Sequence, residues 1–460
     1  MSFPRIKRIL LVDGAGSCWQ EDIAAIRESY AEPGERWTIP ASTPGMKFIR
    51  QPSRVVQIGL QMENGETAWG DCLSVSFAGK SGRDVSLEAS STRDLLDPPR
   101  LLKILQESSG KGLGDVDDAL GREFPRWTAA IRFGVSQAVV NATAISTRTM
   151  PFHVLRDTLG IRPETAANGI PVFPPFPPFP PVPALQGSCG NNWRDTVERM
   201  IVAGIEYLPQ GQFEDLDREL GQYGSKIDGS KIFEYIDWLK KRIGDLASKT
   251  KPRAITLDFH GALAQICSGD MDAVAAWIKE LARRCQPFPL HVESPVVEST
   301  FEAQINSLVK LKTAMRAHGA NARIIADEWA NSLAQIERLA KEKIVDGIHI
   351  KMPDTGSLLD SGRAVQVCKD NGLFVILGGS CTETATSSRL AAHLGMATQP
   401  DAILVKPGIS FDEGFSLMKN ELLVIQSLLA VSGAFPDSQD STRGNVSTGA
   451  YFPATMSVWP

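Results

Sequence analysis

The sequence predicts an α/β protein built as a modified TIM (β/α) barrel preceded by an α+β capping domain. Three observations carry this reading. From about residue 195 to 432, short β-branched runs alternate with longer amphipathic runs, at a strand-to-strand step of roughly 25–35 residues. Residues 1–165 have a different rhythm, with strands first and helices after. Three successive predicted strands each end on a carboxylate and the next ends on a lysine, which is where a barrel carries its chemistry.

Each element has a local reason. In "VVQIGLQMENGETAWGDC" (55–72), two apolar runs flank "ENGE", the signature of a hairpin. "RWTAAIRFGVSQAVVNATAIST" (126–147) puts Ala130, Val135, Ala138, Val139 and Ala142 on one helical face. "VFPPFPPFPPVPALQGSCGNN" (172–192) has too many prolines for helix or central strand. Its core, 172–183, reads as a polyproline II insertion, either a stiff surface segment or a ligand for a proline-recognising domain. Barrel strands are expected at "AITLDF", "PLHVES", "RIIADE", "GIHIK", "LFVILGG" and "AILVKPG". Helices between them include "MDAVAAWIKELARRC" and "SLAQIERLAKEK", with room for one or two further βα units upstream. The division expected is 1–165 for the cap, 166–432 for the barrel and 433–460 for a polar, flexible tail.

Bulk properties narrow the function. Apolar content of 43% and charged content of 22% are those of a soluble globular chain. A net charge of −5, with no basic block, argues against nucleic-acid or anionic-membrane partners. No apolar run is long enough to span a bilayer, and "RIKRILLVDGAG" lacks a full signal-peptide core. Seven cysteines without a C-x-x-C pair fit a reducing compartment, hence the cytoplasm. Two nucleotide motifs fail. After Gly14 and Gly16, the third position of a dinucleotide fingerprint is Trp19; before Gly79-Lys80-Ser81, the first glycine of a P-loop is replaced by Ser74.

The chemistry gathers at the strand ends. "ITLDF" brings Asp258, "LHVES" Glu293, "IIADEW" Asp327 and "IHIKM" Lys351; "LGGSC" adds Ser380 and Cys381, and "LVKPG" adds Lys406. Three ionised carboxylates at one mouth repel unless a cation sits among them. Oxygen ligands favour a hard divalent ion, Mg²⁺ or Mn²⁺. Beside a bound metal and a substrate carboxylate, Lys351 can have a lowered pKa and remove the proton on the adjacent carbon, as in enolase-type sites. Each residue also has a plainer reading: Asp327 as a helix cap, Lys351 as a snorkelling surface lysine, Lys406 as a loop anchor, Cys381 as a small buried thiol.

Together the markers "WGDCLSVSFAGKSGRD", "TAAIRFGVSQA", "LDFHG", "HVESP", "ADEW", "IKMPD", "GGSCTET" and "KPGISFDEG" resemble methylaspartate ammonia-lyase of the enolase superfamily, over about residues 40–430. The resemblance implies an enolase-like cap and barrel, usually as a homodimer. It implies Mg²⁺ on Asp258, Glu293 and Asp327, with a monovalent cation also expected. It implies Lys351 as the base that takes the C3 proton of (2S,3S)-3-methylaspartate, an amino diacid, while ammonia leaves C2. Gln186, Ser380 and Cys381 match positions that contact substrate, Ser380 replacing a threonine.

This chain departs from that pattern in four places. Gln210 in "YLPQGQF" stands where the family has a histidine, the base for the other C3 epimer, so the opposite-face route is expected to be lost or very slow. His349 replaces a glutamine that holds the distal carboxylate, and is open to that role, to acid–base work or to a buried structural one. The proline-rich insertion precedes Gln186 at the mouth. His260, two residues past Asp258, replaces an aromatic and is placed near the site but not on the metal. Two alternatives to ammonia elimination stand: another enolase-type lyase, dehydratase or racemase, or a catalytically degraded paralogue that only binds.

Overall fold

The computed structural model describes residues 1–16, 20–22, 25, 34–75, 79–87, 89–161, 184–189, 193–212, 229, 231–247, 252–380, 382–405 and 411–434. The chain begins with β1 (Ile6–Ala15), β2 (Gln20–Glu21), β3 (Arg50–Gln51), β4 (Arg54–Met62) and β5 (Thr67–Cys72). β1, β4 and β5 form an antiparallel sheet, and β2 pairs with β3. The hairpin expected around "ENGE" joins β4 to β5; Gly65 takes φ +90° there and the Met62 N–H donates to the Glu66 carbonyl at 2.9 Å. The helix Ala129–Ser146 lies against β5. It buries the five predicted residues, and Gly70 and Gly134 allow the close approach, since a Cβ on Gly70 would lie 2.1 Å from the Gly134 carbonyl.

Eight parallel strands then close a barrel: β6 (Ala184–Cys189), β7 (Tyr207–Gln212), β8 (Ala254–Asp258), β9 (Leu290–Glu293), β10 (Arg323–Ala326), β11 (Gly347–Lys351), β12 (Phe374–Gly378) and β13 (Ala402–Leu404). The last six are the strands expected from sequence, and β6 and β7 are the two upstream units. Tyr207, Ala254, Ile325, Phe374, Ile376, Ala402 and Leu404 form a separate buried cluster on alternate strand positions, so the barrel interior is packed rather than hollow. The proline-rich segment 172–183 and residues 435–460 lie outside the described residues. Cys72, Cys267, Cys285 and Cys368 are free thiols. Among the described residues no helix is long and apolar enough to cross a membrane.

The N-terminal region grips the mouth of the barrel. The Leu358 N–H donates to Ser136 Oγ at 2.8 Å and Ser357 Oγ donates to Asp117 Oδ2 at 3.1 Å. Arg132 pairs with Asp360 at 3.2 Å, and Thr384 Oγ1 donates to Asp71. The innermost tie is Arg83, from the loop after β5, which enters the carboxylate cluster itself.

Candidate active site

Asp258 and Glu293 are the last residues of β8 and β9, Asp327 follows β10 directly, and Lys351 ends β11. The backbone turns sharply just beyond: His260, Ser294 and Trp329, none a glycine, take φ of 44°, 47° and 65°. Such left-handed residues cost on the order of 1–3 kcal/mol each and concentrate where function fixes geometry. β11 stops at Lys351 because Pro353 lies in the first turn of the short helix Met352–Thr355.

All four groups are buried. Lys351 Nζ donates to Asp327 Oδ2 at 2.6 Å, and Arg83 Nη2 donates to Asp327 Oδ1 at 3.1 Å. Asp327 is thus held from both sides by cationic donors. Arg83 Nε also reaches Asp354 Oδ2 at 2.7 Å. His349, two residues before Lys351 on the same strand, places Nδ1 2.7 Å from Glu293 Oε1. His260 places Nε2 2.8 Å from Asp258 Oδ2 and Nδ1 3.1 Å from Glu328 Oε1. Ser294 donates to the other Glu328 oxygen.

Charge and burial set the protonation preferences. Burial pushes Glu293 up to about 7; His349 opposes this, and the like charges of Asp258 and Asp327 add to it. A cation among these acids would offset that repulsion. Burial also acts to raise Glu328, but the hydrogen bond and charge of His260, with Arg83 and Lys351, hold it well below the usual carboxylate range. Burial disfavours the His260 cation, yet Asp258 and Glu328 outweigh it and lift the ring to about 10. Among the protein groups alone the Lys351 ammonium is favoured; the lowered pKa is an expectation for the site with metal and substrate beside it. Burial works against its charge, but Asp327 at 2.6 Å outweighs burial and raises it.

The cluster suits a hard divalent cation, though not as a simple triad. Ligand atoms of Glu293, Asp327 and His349 lie within 4.8 Å of one another, as do those of His260, Asp327 and Glu328. Asp258 belongs to neither group, one of its oxygens being engaged by His260. Three carboxylates at adjacent strand ends remain the donor set such an ion prefers.

The remaining expected site residues are placed unevenly. Gln186 and Gln210 are residues of β6 and β7, in register with Leu404 and Ser188. Ser380 is buried after β12; its N–H donates to Glu383 Oε1 at 2.7 Å and its Oγ lies 2.9 Å from Thr382 Oγ1. Cys381 and Lys406 lie outside the described residues. Sequence reasoning missed Arg83 and Glu328. Glu328 was adjacent to Asp327 in "ADEW", but strand alternation favours one of two neighbouring acids. Arg83 stood two residues past the failed P-loop match and inside the marker "WGDCLSVSFAGKSGRD", and nothing local tied it to the barrel.

A profile of the methylaspartate ammonia-lyase N-terminus matches residues 4–160, and one of its C-terminus matches residues 180–430. The chain is 30% identical over 431 residues to methylaspartate ammonia-lyase 1 of Carboxydothermus hydrogenoformans, covering 92% of this chain and 97% of that protein. Its structure resembles the Citrobacter amalonaticus methylaspartate ammonia-lyase containing (2S,3S)-3-methylaspartic acid, with a TM-score of 0.81 at 28% identity, over 93% of this chain and all of that one. It also resembles the Mg complex of β-methylaspartase from Clostridium tetanomorphum, with a TM-score of 0.78 at 26% identity, over 93% of this chain and 99% of that one.

Proposed function

Because the chain belongs to the methylaspartate ammonia-lyase family, we propose that it eliminates ammonia from (2S,3S)-3-methylaspartate to give mesaconate. The observation that carries this is a buried lysine at the end of β11, beside the carboxylates that end β8 and β9 and the one that directly follows β10. The C3 proton passes to the base, the C3–H pair becomes the C2–C3 double bond, and the C2–N bond breaks with its pair on nitrogen, so that the substrate's ammonium group leaves as ammonia.

Asp258, Glu293 and Asp327 are the proposed holders of Mg²⁺, with Mn²⁺ as substitute; a monovalent cation elsewhere belongs to the same reading. When bound, the divalent cation supplies positive charge that offsets Asp327 and the negative charge developing on the substrate carboxylate. Lys351 would take the C3 proton as the neutral amine, a form favoured over the ammonium when Asp327 is drawn to the cation and its charge no longer holds the lysine proton. Arg83 fixes the other Asp327 oxygen and so the direction from which Lys351 is released. Gln186, Gln210, Ser380 and Cys381 are the proposed substrate contacts, with His349 a fifth on the sequence reading. Burial of the cluster keeps water from competing for the proton. Cap 1–165, barrel 166–432 and tail 433–460 remain the proposed division, within a cytoplasmic homodimer that has no nucleic-acid or membrane partner.

A second reading, proton abstraction from a different carboxylic acid, is favoured only by His349 and Gln210. A degraded binding paralogue is disfavoured by the intact carboxylates and Lys351. Turnover of both 3-methylaspartate epimers, with and without Mg²⁺, is the test, followed by absorbance of the conjugated diacid. The expected result is Mg²⁺-dependent turnover of the (2S,3S) form. Failure with this substrate, but turnover of another amino diacid, would establish the second reading instead.

A further inference from the structure

We propose that His349 supplies a nitrogen ligand to the divalent cation, making the centre a mixed carboxylate–imidazole site with stronger preference for borderline metals over Mg²⁺ than carboxylates alone give. This rests on the divalent-cation reading above and goes beyond it in naming a further ligand and the metals that ligand selects.

Of the two histidines whose ligand atoms cluster with Asp327, the geometry favours His349. A ring nitrogen lies with oxygens of Glu293 and Asp327 inside 4.8 Å, and all three residues are buried. Ligand atoms around one ion bonded at about 2.1 Å sit roughly 3–4 Å apart, so small shifts close the set. Nδ1 already faces Glu293 Oε1 at 2.7 Å. The ring is fixed from behind. Gly378 is in register with Lys351, and a Cβ there would lie 1.8 Å from His349 Nε2. The imidazole therefore occupies the space a side chain on β12 would take, and Nδ1 is the nitrogen turned towards the acids. His260 is the other histidine near Asp327, but its two nitrogens lie 2.8 Å from Asp258 and 3.1 Å from Glu328. Imidazole ligation suits Co²⁺ and Zn²⁺ far better than Mg²⁺, whereas a site of oxygens alone discriminates less.

The test uses the full chain without substrate. Co²⁺ and Mg²⁺ affinities are measured by calorimetry for wild type, His349→Gln and His260→Gln, and ¹⁴N modulation is read by pulsed electron paramagnetic resonance on the Mn²⁺-loaded proteins. The expected result is directly coordinated ¹⁴N in wild type and in His260→Gln, lost in His349→Gln. The Co²⁺-to-Mg²⁺ affinity ratio should fall on the order of ten-fold or more in His349→Gln. Cation binding without coordinated ¹⁴N in wild type would overturn the inference and leave the carboxylate site standing, with His349 only a hydrogen-bond partner of Glu293. The same conclusion would follow if His260→Gln alone lost the signal. No divalent binding at all would overturn both readings. The wild-type spectrum, repeated with ¹⁵N-histidine, decides ligation even if a variant fails to fold.

Discussion

Replacing Arg83 with glutamine should destabilise the protein in a manner that depends on pH, and the size follows from the cluster. Arg83 contacts Asp327 at 3.1 Å, Asp354 at 2.7 Å and Glu328 at 3.9 Å. Without it, Asp327 keeps Lys351 and Glu328 keeps His260. Asp354 loses its hydrogen-bonding cation inside the protein, where burial already raises it and Arg83 is the largest opposing influence. Removing one partner of a buried pair costs about 3–5 kcal/mol. Protonation caps that cost: neutralising a carboxyl of ordinary pKa about 3.9 takes about 4 kcal/mol at pH 7 but only about 1.5 kcal/mol at pH 5. The sign is that of an acid whose folded pKa is raised: stability is lost as pH climbs through the interval from the unfolded to the folded value. The deficit of Arg83→Gln against wild type, read by urea unfolding, should therefore be about 3–4 kcal/mol at pH 7 and about half that or less at pH 5. A deficit equal at both pH values, or larger at pH 5, would refute the reasoning.

Two further outcomes follow from particular contacts, and a third from the residue at position 210. His291 lies inside the barrel between Tyr207 and Phe374, and burial, with Arg323 adding, pushes it down to about 4. A base with a depressed folded pKa loses its contribution as pH falls from about 6.5 through 4, so up to about 3 kcal/mol should vanish on acidification in wild type but not in His291→Phe, by unfolding at pH 7 and pH 4. Gly378→Ala forces a Cβ to 1.8 Å from His349 Nε2 and should cost about 1–3 kcal/mol, recovered in the Gly378→Ala/His349→Ser double variant; additive losses in thermal unfolding would contradict this. With glutamine at 210, wild type should leave the (2S,3R) isomer almost untouched and show no C3 epimerisation. Gln210→His should gain one or the other by chiral chromatography, and fast turnover of that isomer by wild type would disprove the expectation.

Much of the barrel was legible because its strands are short apolar runs bounded by polar turns. β8 to β12 fall within the stretches read from sequence, and β11 matches Gly347–Lys351 to the residue. β6, "ALQGSC", and β7, "YLPQGQ", escaped as individual strands because glycine, proline and glutamine interrupt the apolar pattern that marks a buried strand. The carboxylates and Lys351 were legible for a different reason: parallel strands deliver their last residues to one place, so position along the strand stands in for position in space. Arg83 had no such proxy. It lies 244 residues from Asp327 and reaches it only through docking of one region on the other. The raised Lys351 was likewise invisible, since it depends on a 2.6 Å contact rather than on a spacing.

The proposed reaction turns on Lys351 as the group that removes the C3 proton. The most direct measurement is kcat on (2S,3S)-3-methylaspartate at saturating Mg²⁺ for wild type and Lys351→Ala, with substrate binding measured in parallel. A missing general base predicts a fall of about 10²- to 10⁴-fold in kcat while the variant still binds substrate and cation. An unchanged kcat in Lys351→Ala would contradict the assignment and require another base on the same mouth of the barrel.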